Sequence, residues 1–141
     1  MVIDIKYHSD ITPLEMTENG DWIDLRVAEE TELERGEFAM LNLGVSMKLP
    51  DGYEALVIPR SSTFKTWGLL QTNSCGLIDN SYCGDNDVWK MPVLATRYVR
   101  IPKDTRICQF RIQKKMEQVE FNTVEHLESE DRGGFGSTGV F

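Results

Sequence analysis

Apolar and polar residues alternate with a period of two along much of this chain. In the clearest run, residues 41–49, aliphatic side chains occupy every second position: Leu41, Leu43, Val45, Met47 and Leu49. Strict alternation of this kind predicts one strand with a buried face. Similar but shorter patterns predict further strands near Ile3 and Ile5, over 53–58, around Cys108, Phe110 and Ile112, and near Val119 and Phe121.

Turn signals separate these runs at short intervals. They are Asn19-Gly20-Asp21, Arg35-Gly36, Asp51-Gly52 and Pro102-Lys103-Asp104. Short strands between closely spaced turns are typical of an all-β sandwich or barrel. One short helix is predicted after Ser61 and Ser62, whose hydroxyls are suited to N-caps, and Gly68 should end it. We therefore expect an all-β fold with a single short helix.

The end of the chain departs from this pattern. From Leu127 to Phe141 the sequence is first acidic and then rich in glycine. We expect residues 1–126 to form one β-barrel domain and residues 127–141 to form a mobile arm. Such an arm either stays in solvent or lies over a site on its own or a neighbouring subunit, and Arg132 and Phe135 favour the second alternative.

Composition and charge exclude several classes of function. The chain has 141 residues, of which 40% are hydrophobic and 27% charged, as expected for one soluble domain. No apolar run approaches membrane-spanning length and no signal peptide is recognisable, so we expect a cytoplasmic protein without a membrane partner. The formal charge of −8 argues against direct nucleic-acid binding. A small polyanion could still bind where arginines or a metal ion are concentrated.

The three cysteines carry little functional information. They are odd in number, lie in no CxxC pair, and are accompanied by only two histidines. This combination does not favour a zinc site. We expect reduced, packed thiols.

The segment Pro59-Arg60-Ser61-Ser62 is a candidate phosphate site. It places an arginine and two hydroxyls where a predicted strand leads into the predicted helix. Backbone N–H groups and guanidinium donors converge at such a junction and suit a phosphate. The alternative interpretation is a helix cap beside a surface arginine.

The segment 76–85 is a candidate for base recognition. Gly76 and Gly84 bracket the turn residues Asp79-Asn80-Ser81, and Tyr82 follows directly. A tight hairpin here would expose main-chain donors and acceptors to the edge of a base, with a carboxylate and an aromatic ring beside the sugar. The alternative is a hairpin in which Asp79 only stabilises the turn through an Asx bond.

The arm itself has the composition of an anion-binding loop. Glycines allow successive backbone N–H groups to face one ligand, and Ser137, Thr138 and Arg132 add donors for phosphate oxygens. Phe135 could stack on a base. No lysine precedes Ser137 or Thr138 and no helical pattern follows, which excludes a Walker A loop.

Taken in order, five segments resemble the motifs of the trimeric dUTPase (deoxyuridine triphosphate nucleotidohydrolase) family. They are Asp24-Leu25, Pro59-Arg60-Ser61-Ser62, Gly76-Leu77-Ile78-Asp79-Asn80-Ser81-Tyr82-Cys83-Gly84, Arg106-Ile107-Cys108-Gln109 and Arg132-Gly133-Gly134-Phe135-Gly136-Ser137-Thr138-Gly139. The overall texture, including Asn73 just upstream of the third motif, is most similar to phage and low-GC Gram-positive members. The resemblance spans residues 24–139.

The resemblance implies an enzyme that hydrolyses dUTP to dUMP and pyrophosphate, with Mg²⁺ on the triphosphate. It implies a dUTPase-like β-barrel or jelly-roll-like sandwich that assembles as a homotrimer with sites between subunits. Asp79 would orient and deprotonate the water that attacks the α-phosphorus. Asp24 would hold the metal indirectly, through its water shell, because Mg²⁺ tends to keep waters.

The same resemblance implies roles for the substrate-binding residues. Contacts to the phosphates would come from Arg60, Ser61, Ser62 and Gln109. Recognition of uracil would come from Asn73, Gly76, Leu77 and Ile78, and Tyr82 would lie against the deoxyribose. Closure of the arm would use Arg132, Phe135, Gly136, Ser137 and Thr138.

Two segments depart from the family pattern. Asp104-Thr105 precede Arg106 where the family usually has Gly-Asp, so the carboxylate partner of a site arginine is shifted or absent. Residues 85–89 interrupt the apolar strand that usually follows the third motif, which predicts a bulge or an added contact. Trp89 in this segment is expected to pack rather than to reach the site.

Two other functions remain as alternatives. A dCTP deaminase would need a glutamate after the third motif, and no acidic residue lies between Val88 and Tyr98. A regulatory protein-binding module could use the same fold, alone or together with catalysis, with a partner surface around 29–37. Under the second alternative, the protein would also bind a regulatory protein partner.

Overall fold

The computed structural model describes all 141 residues and consists of eleven strands and one helix. The elements are β1 (Asp4–Tyr7), β2 (Ile23–Arg26), β3 (Thr31–Leu33), β4 (Phe38–Asn42), β5 (Val45–Lys48), β6 (Tyr53–Pro59), α1 (Thr63–Trp67), β7 (Leu69–Gln71), β8 (Gly76–Ile78), β9 (Lys90–Ala95), β10 (Val99–Ile101) and β11 (Arg106–Lys114). The prediction of an all-β fold with one short helix is confirmed.

Two sheets form the body of the domain, and every strand pair is antiparallel. Sheet I has the order β2-β11-β6-β8, and sheet II has the order β4-β9-β7. Two-stranded ribbons, β1 with β5 and β3 with β10, complete the structure. The single helix is too short to span a membrane.

The core lies between the sheets and contains 21 buried apolar residues. Trp89 is fully buried there and packs edge-to-face on Phe110, with ring centroids 5.1 Å apart. Aromatic pairs favour this geometry, and burying such side chains supplies much of the driving force for folding. The packing role expected of Trp89 is confirmed.

The run 41–49 is not one strand. It divides at Leu43-Gly44 into β4, which pairs with β9 in sheet II, and β5, which pairs with β1. Gly44 has a φ of +70°, and a side chain there would approach the Cβ of Ala28 to 3.0 Å. The alternation continues across the division because both halves face the same core, so the pattern concealed the kink.

The helix begins and ends where the sequence predicted, but its N-cap works differently. Ser62 occupies the cap position without a side-chain hydrogen bond to the helix. Gly68 ends the helix with a φ of +65°, and its N–H donates to the carbonyl of Phe64. A side chain at position 68 would lie 2.9 Å from Cγ of Arg97, so glycine is required by both conformation and space.

The strand predicted near Val119 and Phe121 is wrong. The last strand ends at Lys114, and residues 116–141 are exposed without regular secondary structure. An alternating segment becomes a strand only when it pairs with another strand, and residues after Lys114 pair with none in this chain.

The thiols are also less uniform than expected. Cys108 is buried, and burial raises the pKa of its thiol well above the usual range. Cys75 and Cys83 are exposed, so the expectation of packed thiols is wrong for these two.

Candidate active site

Sheet I gathers four of the five segments that the sequence singled out. Asp24 lies on β2, Gln109 on β11 and Arg60 directly after β6, while β8 contains the stretch from Gly76 to Ile78. In the strand register Asp24 is opposite Gln109, and Gln109 is opposite Ile58. Residues far apart in sequence are thus neighbours on adjacent strands.

Two arginines share the carboxylate of Asp24 at one end of this sheet. Arg60 Nε lies 3.1 Å from Asp24 Oδ1, and Arg106 Nη1 lies 3.8 Å from Asp24 Oδ2. Arg60 Nη1 also donates a 3.4 Å hydrogen bond to the carbonyl of Arg106. We call Asp24, Arg60 and Arg106 the arginine cluster. Its two positive charges exceed its one negative charge, so it suits an anion.

Arg106 was missed as a site residue at the sequence level. It belongs to the fourth segment, but only Gln109 of that segment was assigned a role. The departure at Asp104-Thr105 drew attention to a lost partner, whereas the structure provides one from β2 in Asp24. The sequence feature that could have identified it is its position in the fourth segment, three residues before Gln109.

The junction of β6 and α1 is held by Thr63, a second residue that sequence analysis missed. Its Oγ1 accepts a 2.8 Å bond from the backbone N–H of Arg60 and donates a 2.9 Å bond to the carbonyl of Ile107. Thr63 is buried, which fixes Arg60 against β11. Ser61 and Ser62 follow Arg60, and their hydroxyls remain available to a ligand.

Gln109 is oriented by its neighbour strand. Its Nε2 donates a 3.1 Å bond to the carbonyl of Pro59 on β6. One N–H of the amide is therefore engaged, and the second N–H and the oxygen are left for other contacts.

Asp79 sits in a tight turn directly after β8. The backbone N–H of Ser81 donates a 2.8 Å bond to Asp79 Oδ1, and the N–H of Tyr82 donates to the Asp79 carbonyl at 3.0 Å. Lys115 Nζ lies 3.2 Å from Asp79 Oδ2 and 3.1 Å from Asn80 Oδ1. The Ser81 backbone and side chain, followed by Lys115, lower the pKa of Asp79 to about 2. The Asx bond of the alternative interpretation is present, and Lys115 is an unforeseen partner.

An open cleft of about 420 Å³ lies beside this turn. Leu77 and Tyr82 line it and are both exposed, and the Tyr82 hydroxyl donates a 2.9 Å bond to the carbonyl of Val88. The predicted hairpin is only half formed, because β8 pairs with β6 and no strand returns beside it after the turn. Residues 85–89 instead form a loop in which Asp87 Oδ2 accepts from the Gly84 N–H.

Asn73 and Gly76 lie together at the start of β8. Asn73 Oδ1 accepts a 2.9 Å hydrogen bond from Gln71 Nε2. A side chain at position 76 would lie 3.4 Å from Asn73 Nδ2. Position 76 is thus in direct contact range of the Asn73 amide.

Within one chain, the arginine cluster and Asp79 do not meet. Arg60 follows Pro59 at one end of β6, whereas Asp79 follows Ile78, which is opposite Ala55 near the other end. Along β6, the position of Arg60 and the position beside Asp79 are six residues apart, which corresponds to about 20 Å of extended chain. Lys115 marks the same far end, since its N–H donates to the carbonyl of Gly52.

The C-terminal glycine-rich segment stands apart from both groups. Its recorded hydrogen bonds are internal, from Ser137 N–H to the Gly134 carbonyl and from Gly139 N–H to the Gly136 carbonyl. Phe135 is fully exposed. Gly133 has a φ of +83°, and a Cβ there would meet Ser137 Oγ at 2.5 Å, so the turn depends on this glycine.

Asp104 takes the place of the usual glycine with a φ of +70°. Its Oδ1 accepts from the Thr12 N–H at 2.8 Å, its Oδ2 accepts from the Thr12 hydroxyl, and Arg26 Nη1 donates to its carbonyl at 2.8 Å. The Thr12 hydroxyl, then the Thr12 N–H, lower the pKa of Asp104. Aspartate tolerates this backbone region better than most residues, and these bonds offset the strain.

Comparisons with known proteins agree with the five-segment pattern. A family model described as dUTPase matches residues 13–139. The SPbeta prophage-derived deoxyuridine 5'-triphosphate nucleotidohydrolase of Bacillus subtilis strain 168 is 54% identical over 141 residues, covering 99% of both chains. The deoxyuridine 5'-triphosphate nucleotidohydrolase of Streptomyces avermitilis is 41% identical over 82% of this chain and 67% of its own length.

The fold also matches solved structures. A mutant dUTPase of Staphylococcus bacteriophage 80alpha with dUpNHpp superposes with a TM-score of 0.80 over 99% of each chain, at 23% identity. At that identity the match concerns the fold alone. Together, sequence and fold comparisons confirm the family resemblance.

Proposed function

The chain belongs to the dUTPase family and hydrolyses dUTP to dUMP and pyrophosphate, and we propose that Asp79 positions the attacking water in that reaction. With a pKa of about 2, Asp79 is ionised at any physiological pH. A carboxylate of such low basicity contributes more by orienting water than by removing its proton. Most of the rate then comes from stabilising charge on the phosphates.

The arginine cluster is suited to bind the triphosphate. Arg60 and Arg106 provide planar, permanently charged donors, and Ser61 and Ser62 add hydroxyls beside them. Gln109 lies opposite Asp24 in the register and contributes a polar contact near the α-phosphate or the water. These groups supply the phosphate contacts that the resemblance implied, with Arg106 as an addition.

The cleft beside β8 is suited to bind the nucleoside. Asn73, Gly76 and the main chain of Leu77 and Ile78 would recognise uracil, and the ring of Tyr82 would lie against deoxyribose. Polar groups matched to one base discriminate strongly, because the wrong base leaves them unpaired. A 2′-hydroxyl would meet the Tyr82 ring.

Mg²⁺ fits this site as a companion of the substrate. The structure contains no group of three or more His, Cys, Asp or Glu residues that could cage a metal ion. Asp24 is a single carboxylate already facing two arginines, so it would contact the ion through water. When bound, Mg²⁺ neutralises charge on the triphosphate.

We further propose that the working enzyme is a homotrimer with sites between subunits. The separation of the arginine cluster from Asp79 in one chain supports this arrangement, because a single dUTP needs both. The arm, whose residues are exposed and whose hydrogen bonds are internal, would close over a site with Arg132, Phe135, Gly136, Ser137 and Thr138. Cyclic closure gives three equivalent sites.

The hydrogen-bonded turn that keeps Asp79 ionised is the main support for its catalytic role. The variant Asp79→Asn tests this role. The variant keeps the shape of the side chain and loses the negative charge. We expect pyrophosphate release to fall at least about a hundredfold while dUTP binding and the oligomer persist. Asp85→Asn is the matched control and should keep full activity, because the Asp85 side chain is exposed and its ion pair is with Lys6, at 3.8 Å. Normal turnover by Asp79→Asn would refute the role.

The two alternative functions gain no support. A deaminase would release ammonia from dCTP, and assaying ammonia against pyrophosphate separates the two reactions. In the acidic stretch 29–37, Glu30 pairs with Arg100 and Glu32 with the Tyr98 hydroxyl. A regulatory partner on this surface stays a prediction.

A further inference from the structure

Gln71 links the two sheets beside the start of β8. It is the last residue of β7 in sheet II, yet its Nε2 donates a 3.0 Å bond to the carbonyl of Val57 in sheet I. The same nitrogen donates a 2.9 Å bond to Asn73 Oδ1. Gln71 is buried, and its Oε1 has no hydrogen-bond partner. A buried glutamine with an unpaired oxygen calls for an explanation other than stability.

The polarity of these bonds is fixed by the backbone. The Val57 carbonyl can only accept, so Gln71 must turn its NH₂ group toward it. The second hydrogen of that group then points at Asn73 and requires an acceptor there. Asn73 therefore presents its oxygen to Gln71, and its own NH₂ group is left free. One main-chain carbonyl thus determines the orientation of two side-chain amides.

The local backbone keeps the free NH₂ group of Asn73 accessible. Asn73 lies in a tight turn closed by the Ser74 N–H, which donates to the Gln71 carbonyl at 3.1 Å. Asn73 itself is exposed. Gly76 has no side chain that could cover Asn73 Nδ2, and a Cβ there would lie 3.4 Å from this nitrogen.

We propose that Gln71 is a positioning residue that selects uracil over cytosine by holding the Asn73 amide with its N–H groups toward the base. This inference rests on the proposed role of Asn73 in base recognition. Uracil, like thymine, has a carbonyl oxygen at the position where cytosine has an amino group. A fixed N–H donor matches the first and opposes the second. Without Gln71 the amide could rotate and accept from cytosine.

The test compares dUTP and dCTP as substrates. The values of kcat/KM for pyrophosphate release are measured for the unmodified enzyme, Gln71→Met, Asn73→Ala and the double variant. We expect Gln71→Met to lower the ratio of kcat/KM for dUTP to kcat/KM for dCTP about tenfold or more. The double variant should discriminate no worse than Asn73→Ala, because Gln71 acts through Asn73. Leu69→Val, a buried control on the same strand, should lower Tm and keep the ratio.

The outcomes separate this inference from the function on which it rests. If Asn73→Ala lowers the ratio and Gln71→Met does not, the positioning role is wrong and base recognition by Asn73 stands. If Asn73→Ala keeps the ratio, base recognition by Asn73 is wrong and the inference falls with it.

A measurement on the unmodified protein does not depend on how the variants fold. In NMR spectra, the Gln71 NH₂ should exchange slowly with solvent. The Asn73 NH₂ should exchange rapidly and shift when dUMP is added. The reverse pattern would overturn the assigned orientation.

Discussion

At the scale of single residues, Asp79 shows how local hydrogen bonds prepare a carboxylate. Each of its oxygens has a different partner, Ser81 on one side and Lys115 on the other. Both partners favour the ionised form, which keeps its pKa near 2. Lys115 is the first residue after β11, so the turn that contains Asp79 is attached to the point where the C-terminal segment begins.

Replacing Lys115 should raise the pKa of Asp79. Lys115→Met removes a hydrogen bond and a positive charge that both stabilise the carboxylate, while the bonds from Ser81 remain. In the native protein the pKa of Asp79 lies below the ordinary aspartate value of 3.8, so ionised Asp79 contributes stability above that pH. This contribution is lost as the pH falls toward 2, and in the variant it should be smaller and lost at higher pH.

The measurement is a ¹³C titration of the Asp79 carboxyl group. Lys114→Met is the matched control, since Lys114 is exposed and has no bond to Asp79. Equal midpoints in the two variants would show that Lys115 does not act on Asp79.

At the scale of elements, the junction of β6 and α1 depends on one hydroxyl. Thr63→Val preserves shape but leaves the Arg60 N–H and the Ile107 carbonyl without this partner. We expect the free energy of unfolding to fall by about 1–3 kcal/mol and the KM for dUTP to rise, because Arg60 is less well fixed. Thr66→Val on the same helix should change neither quantity in thermal melts and kinetics, since the Thr66 side chain is exposed. Equal melts and equal KM for the two variants would contradict this role.

The sequence predicted helices and strands well where local residue patterns determine their bounds. It predicted them poorly where the bounds depend on which strands pair. Alternation and turn residues placed β6, and Gly68 placed the end of α1. The division at Gly44 was hidden, because β4 and β5 join different partners while facing one core. The segment near Val119 has the right pattern but pairs with no strand of this chain. For the candidate site, motif residues such as Asp79 could be identified from the sequence. Arg106, Thr63 and Lys115 were not identified, because their roles depend on contacts that form only in the folded chain.

At the scale of the whole molecule, the five segments form two groups and an arm. The arginine cluster and Asp79 lie at opposite ends of β6, about 20 Å apart by strand geometry. The arm reaches neither group in its own chain. A complete site therefore needs contributions from more than one copy, as proposed for the trimer.

Mixing two inactive variants tests this arrangement. One chain carries Asp79→Asn, and the other lacks residues 132–141. Each should be inactive alone, and the truncated chain should keep its Tm because the arm is exposed and makes no hydrogen bond to the barrel. If Asp79 and the arm of one site come from different chains, mixed trimers regain part of the activity after joint refolding. No recovery in trimers shown by mass spectrometry to be mixed would mean that one chain supplies both.

The distance between the arginine cluster and Asp79 also has a consequence for the enzyme at low abundance. In the proposed trimer a lone subunit holds only part of a site, so activity per subunit would depend on association. By mass action, the fraction of subunits in trimers rises with the square of the free subunit concentration when trimers are scarce. On dilution, total activity would then fall more steeply than the protein concentration. During synthesis, activity would stay low until the subunit concentration is high enough for trimers to form.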